Sequence, residues 1–220
     1  MEWPLLGALD EREWIAVLAA AKRRSFAKGD IVFSEGDLAD SVQLVASGHL
    51  AVQVSTPDGD LATLSVLGPG AWFGELSLMP GQIPTPRSAN VFALDPAETL
   101  VLTRSAFHIL CEEHPRIERL VIALMAARIR ELGTDLLEAR YVGLDRRVCA
   151  TLDRLANIYV ADGTRTEIPV TQTQLADLVG CVRPRLNEIL QRLVTDRVVE
   201  LGRGKLTIVD RPRLLHRDDP

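Results

Sequence analysis

The sequence predicts an α+β protein in three parts: an N-terminal β-roll of the jelly-roll kind (residues 1–114), a long helix with a hinge (115–143) and a C-terminal winged helix-turn-helix (144–220). Three observations predict it. Short apolar runs broken by regular turn signals fill about 25–110. A heptad-spaced apolar seam follows Pro115. A capped helix, a glycine turn, a second amphipathic helix and a hairpin close the chain.

Each element follows in order. Asp10, with Glu13 three residues on and then Trp14, Ile15, Val17 and Leu18, reads as a capping box opening an amphipathic packing helix. The strand runs Ile31-Val32-Phe33, Val42–Val45, Leu50–Val54 and Leu61–Val66 alternate with turns at Lys28-Gly29-Asp30, Glu35-Gly36-Asp37, Ser47-Gly48 and Gly68-Pro69-Gly70. Asp58-Gly59 between two such runs is a hairpin signal.

After Pro115, Ile122, Met125, Ile129, Leu132 and Leu136 recur at spacings of 3, 4, 3 and 4, and Ala139 continues the series. This a/d seam needs a partner helix, and the chain contains no second one, so the seam predicts a parallel homodimer. The alternative is a helix buried within its own domain. A second stripe, Ile117, Leu120, Val121 and Leu124, is free to face the β-roll. Gly143 reads as the hinge out of the helix.

Val148, Leu152, Leu155 and Ala156 mark the next helix, and Glu167–Val170 is strand-like. Thr171 with Gln174 forms a second capping box, and Gly180 breaks the pattern as the turn of a helix-turn-helix does. Leu186, Ile189, Leu190 and Leu193 then form an inner face. Two strand runs flank Gly202-Arg203-Gly204-Lys205, a hairpin with a basic tip.

With 220 residues, 47% apolar and 25% charged, the chain has the make-up of an ordinary globular protein rather than a disordered one. No run approaches the roughly 18 apolar residues of a membrane span, so no membrane partner is expected. Met1-Glu2-Trp3-Pro4 lacks the basic start and apolar run of a secretory signal. Cys111, Cys149 and Cys181 are too few and too scattered for a disulfide framework. The expectation is a soluble, cytoplasmic protein. The net charge of −5 is uneven: residues 1–164 carry −7 and residues 165–220 carry +2. A basic tail on an acidic body hints at nucleic acid.

The segment Trp72-Phe73-Gly74-Glu75-Leu76-Ser77-Leu78 … Pro86-Arg87-Ser88-Ala89 carries the most chemistry. Gly74 lets backbone approach a ligand, and a short helix after it offers amides to a phosphate. Arg87 suits a bidentate pairing with a phosphate. Ser88 adds a hydroxyl and an amide, and Glu75 can accept from a ribose hydroxyl. The competing readings are a structural ion pair for Arg87 and a surface or capping carboxylate for Glu75.

The order of β-roll, Gly-Glu-Leu … Arg-Ser-Ala cassette, long helix and winged helix resembles the CRP/FNR family of bacterial transcription regulators, from about residue 5 to 210. That resemblance implies a homodimer that binds an effector in each β-roll and reorients two DNA-binding domains about the hinge. It implies double-stranded DNA with an inverted repeat as partner, and RNA polymerase as a further one. Following the cyclic-nucleotide-binding members, Glu75 would hold the ribose 2′-OH and Arg87 the cyclic phosphate, with Gly74, Leu76, Ser88 and Ala89 lining the pocket. Cyclic AMP is the expected effector; another nucleotide, or no effector, is the alternative. Two departures bear on this. Met79–Pro86 is longer and richer in proline than the family's commonest form. Where cyclic-AMP members place polar residues on the long helix stand Leu132 and Gly133, with Thr134 one residue later.

For DNA, the outward residues of Cys181–Leu190 include Arg183, Arg185, Asn187 and Glu188. Arginine matches guanine and glutamate accepts from cytosine in the major groove. Gln172, Thr173, Arg203 and Lys205 are placed for phosphates, while Gln191 and Arg192 read as a solvated face. Val182 stands where the family usually has a serine cap, and Pro184 where it has an acidic reader. The helix is therefore expected to read a half-site different from that of the family's best-known member.

Competing classes fare poorly. A metal enzyme on a jelly roll needs converging ligands, and the β region offers only His49, with His108 at its end. No cysteine precedes Cys111, so no iron–sulfur cluster is expected. His108 and His114 are weak axial ligands, so no haem is expected either. A cyclic-nucleotide-binding adaptor without DNA function does not account for the winged helix. No catalytic triad, P-loop or dinucleotide fingerprint is present, so the chain reads as no enzyme, with neither catalytic nor metal-binding residues.

Overall fold

The computed structural model describes residues 9–56, 59–78, 86–159 and 165–215. The chain divides into two compact units, Met1–Val54 with Leu67–Gly133, and Ser55–Val66 with Thr134–Pro220.

The β-roll has two four-stranded sheets. One runs in the order β1 (Lys22–Phe26), β8 (Ala97–Thr103), β3 (Ser41–Ser47), β6 (Trp72–Phe73); the other β2 (Ile31–Phe33), β7 (Asn90–Ala93), β4 (Leu50–Ser55), β5 (Leu61–Leu67). The pairings with defined registers are all antiparallel. Phe26, Val32, Val45, Leu50, Phe73 and Val91 pack as one core cluster. β3 is buried along nearly its whole length because its other face is covered too: Val42, Leu44 and Ala46 meet side chains of the surrounding helices. An uninterrupted apolar strand needs both faces covered, and here they are. The buried Gln43 accepts from Thr99 Oγ1 at 2.9 Å, so this polar pair inside the sheet is satisfied.

Around the sheets lie α1 (Glu11–Ala20), α2 (Arg104–Glu113) and the first part of α3 (Pro115–Tyr141). The capping box of α1 is formed: Asp10 Oδ1 accepts from the Glu13 N–H at 2.9 Å, and Glu13 Oε2 from the Asp10 N–H at 2.9 Å. The Asp10 carboxyl is held below its ordinary pKa, the Glu13 amide contributing most. Two boundaries differ from expectation. Strand character ends at Thr103, not near 110, because Thr103 Oγ1 accepts from the Ala106 N–H and starts α2, burying Phe107 and Leu110 one turn apart. His108 therefore sits on a helix. Strand β1 begins at Lys22, ahead of the 25 expected; Lys-Arg-Arg-Ser has no apolar alternation, and backbone pairing with β8 makes it a strand. Of the hairpin signal, Asp58 lies outside the described residues; Gly59 adopts φ +89°.

The long helix spans 27 residues, about 40 Å. Its stripe Ile117, Leu120, Val121 and Leu124 packs onto the core, with Ile117 and Leu120 buried. The helix stops at Tyr141, and Gly143 caps the start of α4 (Leu144–Ile158) by backbone alone. Arg147 Nη1 donates to the Ala139 carbonyl at 2.9 Å and Arg154 Nη1 to Asp135 at 2.8 Å, tying α4 to the last turns of α3.

The C-terminal domain continues with β9 (Thr166–Ile168), α5 (Gln172–Val179), α6 (Arg183–Thr195), β10 (Val199–Gly202), β11 (Lys205–Ile208) and a short α7 (Arg211–Leu215), not among the expected elements, which Asp210 starts by accepting from the Arg213 N–H at 3.0 Å. The wing strands form one sheet in the order β10-β11-β9. Leu152, Leu175, Leu186, Leu190, Leu193 and Ile208 are fully buried in this domain. The capping box of Thr171 and Gln174 is formed on both sides. Gly180 takes φ +71°, ψ 51°, a left-handed conformation that reverses the chain between α5 and α6. Among the described residues no helix is long and apolar enough to cross a membrane.

Candidate functional site

The cassette folds as the end of β6 followed by a single 3-10 turn, Glu75–Leu78. Gly74 precedes that turn with φ +76°. A Cβ there would meet Arg87 Nη1 at 2.5 Å and the Ser41 carbonyl at 3.1 Å, so a side chain at 74 would collide with the arginine. Arg87 is delivered by a short stretch paired with the Gly36 turn: its N–H donates to the Asp37 carbonyl at 2.8 Å and its carbonyl accepts from the Gly36 N–H at 2.9 Å.

Arg87 is only 6% exposed. Its Nη1 donates to the Ser41 carbonyl at 2.8 Å, with the Gly74 carbonyl at 3.5 Å, and Nη2 donates to Ser41 Oγ at 3.1 Å. The guanidinium carbon lies 4.1 Å from the centre of the Phe33 ring. The nearest carboxylate, Asp40, is 3.8 Å away, and Arg87 Nε has no partner. Burial pulls the arginine's pKa down, opposed by Asp40, Asp37 and Glu75. Arginine stays charged regardless. The site thus holds a desolvated cation whose close partners are neutral oxygens, an arrangement that an anion would complete.

Gly74, Glu75 and Arg87 are brought together here. Glu75 is half-buried at the head of the 3-10 turn, Ala89 is buried, and Leu76 and Ser88 are exposed. Thr134 is exposed on α3 and belongs to the second compact unit. The proline-rich stretch from Met79 to Thr85 lies outside the described residues; Pro86 bridges to Leu38. Sequence reasoning does not single out Phe33, Asp40 and Ser41. The signal available is a hydroxyl and an acid shortly after the Gly36 turn, which reads equally well as turn chemistry.

His49 accounts for itself structurally, with its Nδ1 2.7 Å from Asp95 and its backbone N–H donating to the same carboxylate at 2.8 Å. Among the described residues no three His, Cys, Asp or Glu side chains gather as metal ligands do. The three cysteines are free, and burial with the Glu118 carboxylate pushes the Cys111 thiol up to about 11.

In the C-terminal domain, a cavity of about 310 Å³ opens between the start of α5, the start of α6 and the wing. Gln172, Thr173, Arg183 and Lys205 all line it, above the apolar Leu175 and Leu190. Lys205 Nζ is held by Glu167 at 2.6 Å. Arg203, Asn187, Arg185 and Glu188 are exposed outside the cavity, the last two joined at 3.1 Å. Arg192 pairs with Asp145 at 2.5 Å, in keeping with a solvated face. Val182 caps α6 with backbone only, and Pro184 lies in its first turn.

On α3, Ile122, Ile129, Leu132 and Leu136 are exposed, Ile129 at 70%, and Met125 is half-exposed. Leu137 and Tyr141, also exposed, widen the apolar band toward the C-terminal end of α3.

Residues 23–114 match the cyclic nucleotide-binding domain family, and residues 146–217 the Crp-like helix-turn-helix domain family. The chain is 31% identical over 206 residues to the cyclic AMP receptor protein of Thermus thermophilus, covering 93% of this chain and 92% of that one. It superposes on the crystal structure of Thermus thermophilus catabolite activator protein with a TM-score of 0.55 at 31% identity, covering 96% of both chains. It shares its fold with the c-di-GMP responsive global regulator CLP of Xanthomonas campestris, at a TM-score of 0.75 and 21% identity over 90% of this chain and 99% of that one. With both domain families matched in order, and a relative at this identity along nearly its whole length, the chain belongs to the CRP/FNR family: it is a DNA-binding transcription regulator with a cyclic nucleotide-binding domain.

Proposed function

We propose that the protein is a homodimer in the cytoplasm whose affinity for an inverted-repeat operator is set by cyclic AMP bound in each β-roll. Residues 1–114 form the effector domain, 115–143 the dimerisation helix and hinge, and 144–220 the DNA-binding domain. The observation that carries the effector reading is the buried Arg87 beside Gly74 and Glu75, a cation without a carboxylate closer than 3.8 Å. A cyclic phosphate there would pair with the guanidinium more closely than Asp40 does at 3.8 Å, and Glu75 accepts from the ribose. Gly74, Leu76, Ser88, Ala89 and Thr134 complete the proposed ligand contacts. Relatives bearing cyclic AMP in their names, from Thermus thermophilus and Mycobacterium tuberculosis, support this choice of nucleotide. On DNA, Arg183, Arg185, Asn187 and Glu188 face the bases, and Gln172, Thr173, Arg203 and Lys205 the phosphates. RNA polymerase is the further partner this role implies, and the protein is expected to carry neither haem nor an iron–sulfur cluster.

A second reading, effector-independent DNA binding, is favoured by one observation: both Nη atoms of Arg87 already have partners in Ser41. Calorimetric titration with cyclic AMP and cyclic GMP separates the two. Saturable binding of cyclic AMP, weakened about 100-fold in Arg87→Ala, is the expected outcome, since truncating one member of a buried charge pair costs about 3 kcal/mol. Heat from neither nucleotide would leave the second reading in place.

A further inference from the structure

Asp135 stands where α3 gives way to the C-terminal domain, and its carboxylate is in use. Arg154 of α4 donates through Nη1 to Asp135 Oδ1 at 2.8 Å and lies 3.4 Å from Glu138 Oε2. Its Nη2 donates to the hydroxyl of the buried Thr151 at 3.3 Å, which holds the guanidinium in place. Earlier on α4, Arg147 donates to the Ala139 carbonyl at 2.9 Å. All these groups belong to one compact unit, and together they seat α4 on the last turns of α3. The Arg154 and Asp135 side chains are 47% and 51% exposed. An ion pair so open to water is weak enough to be exchanged for another.

The heptad register puts a second claim on the same carboxylate. With Ile122, Ile129 and Leu136 at a, and Met125, Leu132 and Ala139 at d, Asp135 falls at g and Arg140 at e. In a parallel pair of helices, a g residue faces the e residue of the following heptad in the other helix. In the homodimer proposed above, Asp135 would therefore meet the partner's Arg140, and symmetry gives the same pair twice. The register offers no other match of opposite charge: the earlier g residues are Val121 and Arg128, the earlier e residues Ala126 and Gly133. Arg140 is exposed, and among the described residues no carboxylate pairs with it. Aspartate has a short side chain, and one χ1 rotamer points its carboxylate to one side of the helix at a time. It cannot serve α4 and the far side of the seam together.

Resting on that homodimer, we infer that Asp135 is an exchange point. In a single chain it holds Arg154, and with it α4. In the dimer it passes to the partner's Arg140 and leaves Arg154 on Glu138 alone. Closing the seam to its C-terminal end and loosening the seat of the DNA-binding domain are then one event.

Sedimentation of the full chain over a range of concentrations tests this, with Arg154→Gln, Arg140→Gln, Asp135→Asn and the double variant Arg154→Gln/Arg140→Gln. All three positions are exposed, and circular dichroism verifies the fold. Arg154→Gln leaves Asp135 to the partner without competition. It should tighten the dimer about tenfold, from two symmetric pairs at about threefold each. Arg140→Gln should weaken the dimer by less, because the Arg154 pairs it keeps offset part of the loss. Asp135→Asn and the double variant should share the dissociation constant of Arg140→Gln, since in each of them nothing crosses the seam. High salt should erase these differences. Hydrogen exchange over residues 142–147 should be faster in dimeric wild type than in dimeric Arg140→Gln, where Asp135 stays with Arg154. A dimer left unchanged or weakened by Arg154→Gln, or a gain that persists in the double variant, would overturn the exchange. Equal hydrogen-exchange rates in the two dimers would do the same. A wild type that stays monomeric at micromolar concentration is a separate failure: the homodimer itself would fall, and the exchange point with it.

Discussion

Two glycines show how one residue type can serve two different ends. Gly48 turns the chain between β3 and β4 with φ +73°, and a Cβ there would meet the Pro96 carbonyl at 2.3 Å and Ala97 Cα at 2.6 Å. Those neighbours are backbone and cannot yield. Gly48→Ala is therefore expected to destabilise the β-roll by about 2–3 kcal/mol, seen as a lower urea midpoint with unchanged slope. Gly74 has a similar φ, but its nearest neighbour is the far end of Arg87. The same substitution there displaces the arginine first and the fold second. The Gly48 turn is evident in the sequence as Ser47-Gly48 between two apolar runs. That Gly74 touches Arg87, thirteen residues on, is not.

At the scale of single elements, the two helices of the helix-turn-helix start differently. Thr171 and Gln174 cap α5 reciprocally, whereas Val182 leaves α6 without a side-chain cap. Pro184 supplies no N–H in the first turn, so one of the four unmatched donors is removed by chemistry and the Arg185 N–H is left for a capping oxygen. Val182→Ser should fill that place. Stabilisation of the DNA-binding unit by about 1 kcal/mol in urea titration is the expected result. No gain would show that the exposed valine contributes as much by other means. The capping boxes at Asp10 and Thr171 are legible because they depend only on residues three apart. The start of α2 is harder to read. Arg104–Glu113 follows β8 without a glycine or proline to separate them, and Ala106-Phe107 and Ile109-Leu110 prolong the apolar texture of the strand. The cap at Thr103 is the single local mark of that boundary.

For the whole molecule, the decisive feature is the apolar band on α3. A helix that buries Ile117 and Leu120 against the β-roll still exposes Ile122, Ile129, Leu132 and Leu136. Exposed apolar residues in heptad register on a 27-residue helix are the surface that a second copy of the same helix would cover in the proposed homodimer. Sedimentation of the wild type should give twice the 24.2 kDa chain mass. Ile129→Asp, at the most exposed seam position, should give the single-chain mass with native circular dichroism. A wild-type monomer at micromolar concentration would remove the homodimer from the proposed function. The chain's net charge of −5 makes a related point about DNA: attraction to phosphate comes from local placement of cations, not from overall charge.

By itself the sequence determined the order of β-roll, long helix and winged helix, the two capping boxes, the seam and the stripe beside it. Each is encoded in residues within about one helical turn or one strand of each other, where spacing dictates which side chains share a face. Only the tertiary structure decided that Arg87 is caged by Ser41, Phe33 and Gly74, that Lys205 is held by Glu167, and that Gln172, Thr173 and Arg183 line one cavity. Ser41, Phe33 and Gly74 lie 46, 54 and 13 residues from Arg87, and Glu167 lies 38 from Lys205, separations at which no local period operates. These groups meet because strand pairing and core burial bring their backbones together, and the side chains then settle the balance of charge and hydrogen bonds among whatever neighbours that packing supplies.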